Sequence, residues 1–382
     1  MKKTIYFDYN ATTPLDEKIL QSMLPFLGEI FGNPSSAHLV GRRARALLDD
    51  ARERVAKVWR CKPSEVVFTS GGTESNNLAV FGAARQQRDR GRHLITSTIE
   101  HHAVLHCFEY LEKHEGFKVT HLPASPDGLV SPSDLETAIR PDTILVSIMS
   151  ANNEMGAVQP MAEFGRICQS RGVLFHTDAL QSFGKEPFSS IHQFNADLVS
   201  FCAHKLHGPK GAGALFIKSP LRLQPMILGG AHENERRAGT ENVSAIIGLA
   251  EVVGSFLDPP VFPSSKLTNL TNHLINFATS LDGVDFRGSR TSRLSNTVAV
   301  TVSGSDSPTL LAALDLEGIC ASSGSACSSG SIRPSHVMLA MGVEQSAASS
   351  LVRFSLGRAS TMEEVFTVEQ VLASVIKQAR RC

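Results

Sequence analysis

Val66-Val-Phe-Thr-Ser70-Gly71-Gly-Thr73-Glu-Ser-Asn-Asn77 begins as an apolar, β-prone run, turns on two glycines and continues into an apolar helical pattern. A strand that feeds a helix through a glycine turn is the building unit of covered sheets with parallel strands. The unit recurs. β-rich runs stand at 65–69, 93–97, 143–149, 173–176, 197–202 and 212–217. Between several of them lie helical patterns: within 41–58, Ala44, Leu47, Leu48, Ala51, Val55 and Val58 share one face at 3.6-residue spacing. The expected fold is α/β, a large domain whose mainly parallel central sheet is covered by helices. The prolines of Leu257-Asp-Pro-Pro-Val-Phe-Pro263 interrupt this rhythm and mark a junction. Beyond them, 296–302 reads as a strand and 308–317 as a helix, so a smaller α+β domain follows. The expected division is 13–256 for the large domain and 1–12 with 257–382 for the small one.

Composition narrows the function. The 382 residues carry 37 Lys plus Arg against 37 Asp plus Glu, so no net field draws the chain to nucleic acid or an anionic membrane. With 42% hydrophobic residues it reads as an ordinary globular protein. No apolar run reaches the roughly 18 residues a membrane helix needs; even Ala245 to Leu257 is broken by Glu251. Met1-Lys-Lys lacks the apolar segment of a signal peptide. The seven cysteines are odd in number and scattered, which argues for a reducing cytoplasm rather than a disulfide framework. Cys320 and Cys327 have no CxxC spacing or neighbouring His, so no metal site is expected there.

In such sheets ligands bind at the carboxyl ends of the strands. Gly71, Gly72 and Thr73 offer close backbone approach, a hydroxyl and a helix N-terminus to an anion, although a plain strand-to-helix turn reads the same way. Asp178, in His176-Thr-Asp178-Ala-Leu-Gln181, leaves an apolar strand and needs a cationic or donor partner there, or else it caps a helix. Lys205 in Cys202-Ala-His204-Lys205 directly follows another strand, where an amine can form a Schiff base with an aldehyde. Near the chain's end, Cys320-Ala-Ser-Ser-Gly-Ser-Ala-Cys327-Ser-Ser-Gly330 sets a thiol in a run of the smallest residues, as an exposed loop or a plain linker would. The order Gly-Gly-Thr, Asp-Ala-x-Gln, His-Lys is far more specific than any one piece.

With these motifs the chain resembles the cysteine desulfurases of the NifS/IscS type, class V aminotransferases of pyridoxal phosphate fold type I. The resemblance runs from Phe7-Asp-Tyr-Asn-Ala-Thr-Thr-Pro14 to Arg353-Phe-Ser-Leu-Gly-Arg358. It is carried by Gly32-Asn-Pro-Ser-Ser36, Ser70-Gly-Gly-Thr-Glu-Ser-Asn-Asn77, Asn152-Asn-Glu-Met-Gly156, His204-Lys205 and Arg236-Arg-Ala-Gly-Thr240. The Cys327 stretch matches the long-loop group, and with Arg-Ala-Gly-Thr-Glu-Asn it leans toward the Nif branch. The resemblance implies pyridoxal 5'-phosphate on Lys205, Asp178 at the pyridine nitrogen, Gln181 at the ring hydroxyl and His101 stacked on the ring. It implies Gly72, Thr73, Cys202 and His204 at the phosphate, with Thr240 reaching it from the other subunit of a homodimer. Asn153 and Arg353 would hold the L-cysteine substrate, Arg353 by its carboxylate. Cys327 would take the sulfur as a persulfide and pass it to an iron–sulfur scaffold or another acceptor protein.

Three positions depart from the family pattern. Cys202 stands where Ser or Thr supplies a phosphate hydroxyl, and a thiol is a poorer donor. Ala231-His232 replaces the commoner Gly-Gln, and Gly72 replaces a frequent Ala, a change expected to matter little. A selenocysteine lyase or another fold-type-I lyase would share the cofactor residues without needing a sulfur-carrying loop. A cofactor-free cluster scaffold would need none of Asp178, Gln181 and Lys205.

Overall fold

The computed structural model describes residues 4–324 and 334–380. In chain order the elements are β1 (Ile5–Tyr6), α1 (Glu17–Met23), α2 (Leu39–Trp59), β2 (Val66–Thr69), α3 (Gly72–Gln87), β3 (His93–Ser97), α4 (His102–Glu115) and β4 (Lys118–Leu122). Then come α5 (Pro132–Ala138), β5 (Thr143–Ser147), α6 (Met161–Arg171), β6 (Leu174–Asp178), β7 (Leu198–Cys202), β8 (Gly213–Ile217) and α7 (Val243–Phe256). The chain closes with α8 (Ser264–Ser280), β9 (Val284–Arg287), β10 (Thr297–Val302), α9 (Ser307–Leu316), β11 (Ile319–Cys320), α10 (His336–Ala340), α11 (Gln345–Ala348), β12 (Val352–Ser355) and α12 (Met362–Ala379). The expected strands and the long helix are present with ends moved by a residue or two. β4 was not expected, because Lys118-Val-Thr-His-Leu122 is an edge strand that buries little.

The central sheet has seven strands in the order β2-β8-β7-β6-β5-β3-β4. β4, β3, β5, β6 and β7 are mutually parallel, and β8 runs antiparallel between β7 and β2. The fold is therefore α/β with a mainly parallel sheet, as the strand–helix alternation predicts.

Strand pleating sorts the core. Val67, Leu94, Leu145, Leu198 and Leu215 pack with residues of α3 and α4 on one face. Their neighbours Val66, Ile95, Val146, Val199 and Phe216 join the larger cluster on the other face. There Trp59 of α2 stacks on Phe183 and meets Phe201 edge-on. Both faces are buried, which explains why these strands read as unbroken apolar runs.

A second cluster joins Ile5, Phe7 and Tyr9 to residues between Phe262 and Ala379. Its sheet is the antiparallel trio β12-β10-β9, and β1 pairs in parallel with β11. The chain's first described residues thus pack with its last third.

One buried ion pair anchors the loop after β8. Glu233, at a φ of 50°, accepts from Arg52 Nη2 at 2.5 Å and Arg52 Nη1 at 2.7 Å, and from the Phe68 amide at 2.9 Å. Removing one member of such a pair strands a buried charge at a cost of about 3–5 kcal/mol. Arg52→Met is expected to lose about that much stability, read as a lower denaturant midpoint with an unchanged slope.

Candidate active site

β2, β3, β5, β6 and β7 send their carboxyl ends to one edge of the sheet, because β8 alone is reversed. Gly71–Thr73, His101, Asn153, Asp178–Gln181 and Cys202–Lys205 follow those five ends. Residues spread over about a third of the chain are brought to one edge by strand direction alone.

One end of this site suits an anion. Gly71 caps α3 at φ 152° and ψ −175°, a conformation L side chains rarely adopt. The first turn of α3 thereby opens its amide groups to a cavity of about 420 Å³ walled by Thr12, Gly71, Gly72, Thr73, His204 and Lys210. His204 bonds Thr12 Oγ1 through Nδ1 at 3.2 Å, and its carbonyl accepts from the Thr13 hydroxyl at 2.9 Å. Burial, helped by the charges of Lys205 and Lys210, pushes its imidazole down to about 4, so it is neutral near pH 7. Arg237 donates to Glu74 at 2.7 Å and ties the first turn of α3 to the segment bearing Thr240, which is itself exposed. The Gly72 backbone is less tolerant than expected. A Cβ there would fall 1.9 Å from Leu180 Cδ2, so an alanine obliges Leu180 to turn aside.

The other end is polar and closed. Asp178, 5% exposed, accepts from Asn76 Nδ2 at 2.7 Å on one oxygen and from the Leu180 amide at 3.0 Å on the other. Gln181 donates through Nε2 to the Asn10 carbonyl at 3.1 Å, while its Oε1 accepts from Lys185. His101 caps α4, its Nδ1 accepting from the Ala103 amide at 3.0 Å. Burial pushes this imidazole down to about 4, against the opposing pull of Asp178, so the neutral ring carries its proton on Nε2. Lys205 stands half-buried in the turn after β7. An anion cradle, a buried carboxylate and an amine on adjoining strand ends fit a planar, phosphorylated aldehyde cofactor.

Two expected residues are placed differently. Cys202 is fully buried, sharing the strand face of Leu198 and Ser200, and does not line the cavity. Burial pushes its thiol up to about 11, so it is a small neutral core side chain with no surface open to a phosphate. Arg353 is 1% exposed, and its fork is already engaged. Nη2 pairs with Asp8 Oδ1 at 2.7 Å, and Nη1 donates to the carbonyls of Asn153 and Gly324 at 2.9 and 2.7 Å. Its Nε is buried without a partner among the described residues, so Nε–H and the second Nη2–H remain for an incoming carboxylate. Cys327 lies outside the described residues.

Sequence reasoning missed Asn76, Lys185, Glu100 and the individual roles of Asp8 and Asn10. Asn76 was the most legible: it lies four residues after Gly72, one helical turn in, so it points back toward the sheet. Glu100 had no such signal. It is fully buried, accepts from Ser97 Oγ at 2.5 Å and the Met149 amide at 2.9 Å through Oε1, and has no partner on Oε2 among the described residues. Burial pushes its carboxyl up to about 8.

Residues 5–368 match the family described as aminotransferase class-V. The chain belongs to that family. It is 43% identical to cysteine desulfurase IscS of Dictyoglomus turgidum over 100% of this chain and 96% of that protein. A solved NifS-like protein superposes at a TM-score of 0.91 with 37% identity, covering 98% of this chain and all of the other. A structure of SspA in complex with cysteine gives 0.82 and 38%, covering 94% of this chain and 100% of that one. This class-V aminotransferase thus sits among the NifS/IscS-type cysteine desulfurases, and its fold is that of pyridoxal phosphate fold type I. No helix of the described residues is long and apolar enough to cross a membrane.

The raised Glu100 carboxyl makes stability depend on pH with a definite sign. Between its ordinary value near 4.5 and about 8, the folded state keeps a proton that the unfolded chain releases. Stability therefore falls as pH rises through that window, on the order of 1 kcal/mol per unit. Glu100→Gln is expected to flatten this slope in denaturation curves between pH 5 and 8. An unchanged slope means that Glu100 is ionised in the fold.

Proposed function

We propose that this enzyme is a pyridoxal 5'-phosphate-dependent cysteine desulfurase that converts L-cysteine to L-alanine and retains the sulfur on Cys327. The observation that carries the reading is 43% identity to a cysteine desulfurase along the whole chain. The layout of the strand ends supports it. Gly72, Thr73, His204 and the first turn of α3 hold the cofactor's phosphate. Asp178 faces the pyridine nitrogen, Gln181 the ring hydroxyl and His101 the ring face. Lys205 would hold the cofactor through its aldehyde carbon and would move a proton at the substrate α-carbon.

The bound cofactor supplies a protonated ring that withdraws electrons from that carbon. Asp178, its carboxylate oxygens fixed by Asn76 and the Leu180 amide, would face the ring nitrogen. Asn153 would help to hold the bound cofactor and substrate, and Arg353, whose Nη2 now pairs with Asp8, would take the substrate carboxylate through Nε–H and its second Nη2–H. The Cys327 thiolate then attacks the substrate sulfur. An S–S bond forms as the C–S bond breaks, and the electron pair stays on carbon, which takes up protons to leave as alanine. The persulfide passes to an acceptor thiol, of an iron–sulfur scaffold or another carrier protein, in the reducing cytoplasm that the cysteine usage suggests.

A homodimer completes the site. Phe31, Leu39 and Leu228 are 78%, 73% and 81% exposed, apolar side chains that a second copy would cover. A second copy covering them brings its Thr240 to the phosphate. The smaller domain of this reading is 1–12 with 257–382, built on the second core cluster and carrying the Cys327 stretch.

Lys205→Ala is expected to abolish both turnover and the visible absorbance of the bound cofactor. Borohydride trapping of cofactor on Lys210 or Lys185 in that variant moves the attachment site and overturns the assignment.

Cys327→Ser is expected to keep the cofactor and still bind cysteine, with alanine formation reduced at least about a hundredfold, because a hydroxyl is a far weaker nucleophile than a thiolate near neutral pH. Cys320 serves as the control. It is half-buried in β11, opposite Tyr6, and burial raises its thiol. Wild-type turnover in Cys327→Ser, with loss in Cys320→Ser, assigns the sulfur carrier to the other thiol.

A further inference from the structure

We propose that Lys185 is a positioning residue that holds the Gln181 amide with its N–H edge toward the cofactor's ring hydroxyl, a role that rests on the assignment of Gln181 above. Lys185 follows β6 by seven residues and is 1% exposed. Its Nζ donates to Gln181 Oε1 and, at 2.7 Å, to Asn10 Oδ1, and it lies 5.3 Å over the Phe262 ring. A lysine this deep, with two hydrogen bonds to amide oxygens on different segments, is a built contact rather than a stray surface chain.

The donor inventory fixes the consequence. Burial, reinforced by the charges of Lys205 and Arg353, holds the Lys185 ammonium well below its ordinary range. In either charge state Nζ donates to Gln181 Oε1 and Asn10 Oδ1. With Oε1 committed, Gln181 Nε2 gives one hydrogen to the Asn10 carbonyl at 3.1 Å and keeps one in reserve. Flipping the amide would remove the oxygen to which Lys185 donates and set oxygen against oxygen at the Asn10 carbonyl. Lys185, together with the Asn10 carbonyl, therefore disfavours the flipped state, in which Gln181 would offer the ring hydroxyl an acceptor in place of a donor. A donor at that oxygen favours its deprotonated form and lowers the pH at which the bound cofactor's absorbance titrates.

The test is a double-mutant cycle on the cofactor-loaded protein: Lys185→Met alone, Gln181→Ala alone, and both together. Cofactor absorbance is titrated against pH, and cofactor affinity is measured by equilibrium dialysis. Lys185→Met is expected to raise the midpoint by about one pH unit and weaken cofactor binding about tenfold. In the Gln181→Ala background it is expected to change neither. Equal shifts in both backgrounds, or a lower melting temperature with no shift in midpoint, overturn the positioning role. Should Lys185→Met not fold, Lys185→Gln, whose shorter chain displaces the donor, must give a smaller shift of the same sign only when Gln181 is present. A wild-type protein with no cofactor absorbance refutes the reading of the site, whereas a normal wild-type titration indifferent to Lys185 refutes this inference alone.

Discussion

Asn10 is where the structure is tied together. Its amide nitrogen donates to the Asn153 carbonyl and Thr297 Oγ1, and its Oδ1 accepts from Lys185 and Asn296. Its backbone N–H reaches Ser355 Oγ, and its carbonyl takes Gln181. One 1%-exposed side chain thus joins the turn after β6, the loop after β5 and the β10–β12 sheet. A buried amide with every donor and acceptor met stabilises one arrangement, because any shift leaves several groups unpaired at once. The relative placement of Gln181, Asn153 and Arg353 depends on that junction.

Burial also sets the protonation of the site. His101, His204 and His176 are each pushed down to about 4, and Glu100 is pushed up to about 8. Near neutral pH all four are uncharged. His176 bridges Ser147 Oγ at 2.8 Å and Ser200 Oγ at 3.0 Å, a polar rung across β5, β6 and β7 that a neutral ring can satisfy with one donor and one acceptor.

Much of this was legible in the chain. The parallel sheet followed from apolar runs alternating with amphipathic helices, and the anion cradle from Gly71-Gly-Thr73 at a strand end. Asp178, Gln181, His204 and Lys205 could be named because each directly follows a strand, where direction alone decides the edge it faces. Local pattern failed in three instructive places. β4 is half-exposed and carries little hydrophobic signal. Cys202 was expected to meet the phosphate, but at the end of β7 it is fully buried. Arg353 was expected to meet the substrate carboxylate, but its pairing with Asp8, 345 positions away in sequence, could not be read from local pattern.

The sequence by itself determined the class of fold, the order of the chemical groups and the edge of the sheet they share, because these follow from periods of two and 3.6 residues and from strand direction. Only the tertiary structure decided which buried polar group meets which. Asn76 with Asp178, Lys185 with Gln181 and Asn10, and Asp8 with Arg353 are pairings between segments with no local relation. The desolvation of each polar atom makes its pairing obligatory, but packing chooses the partner.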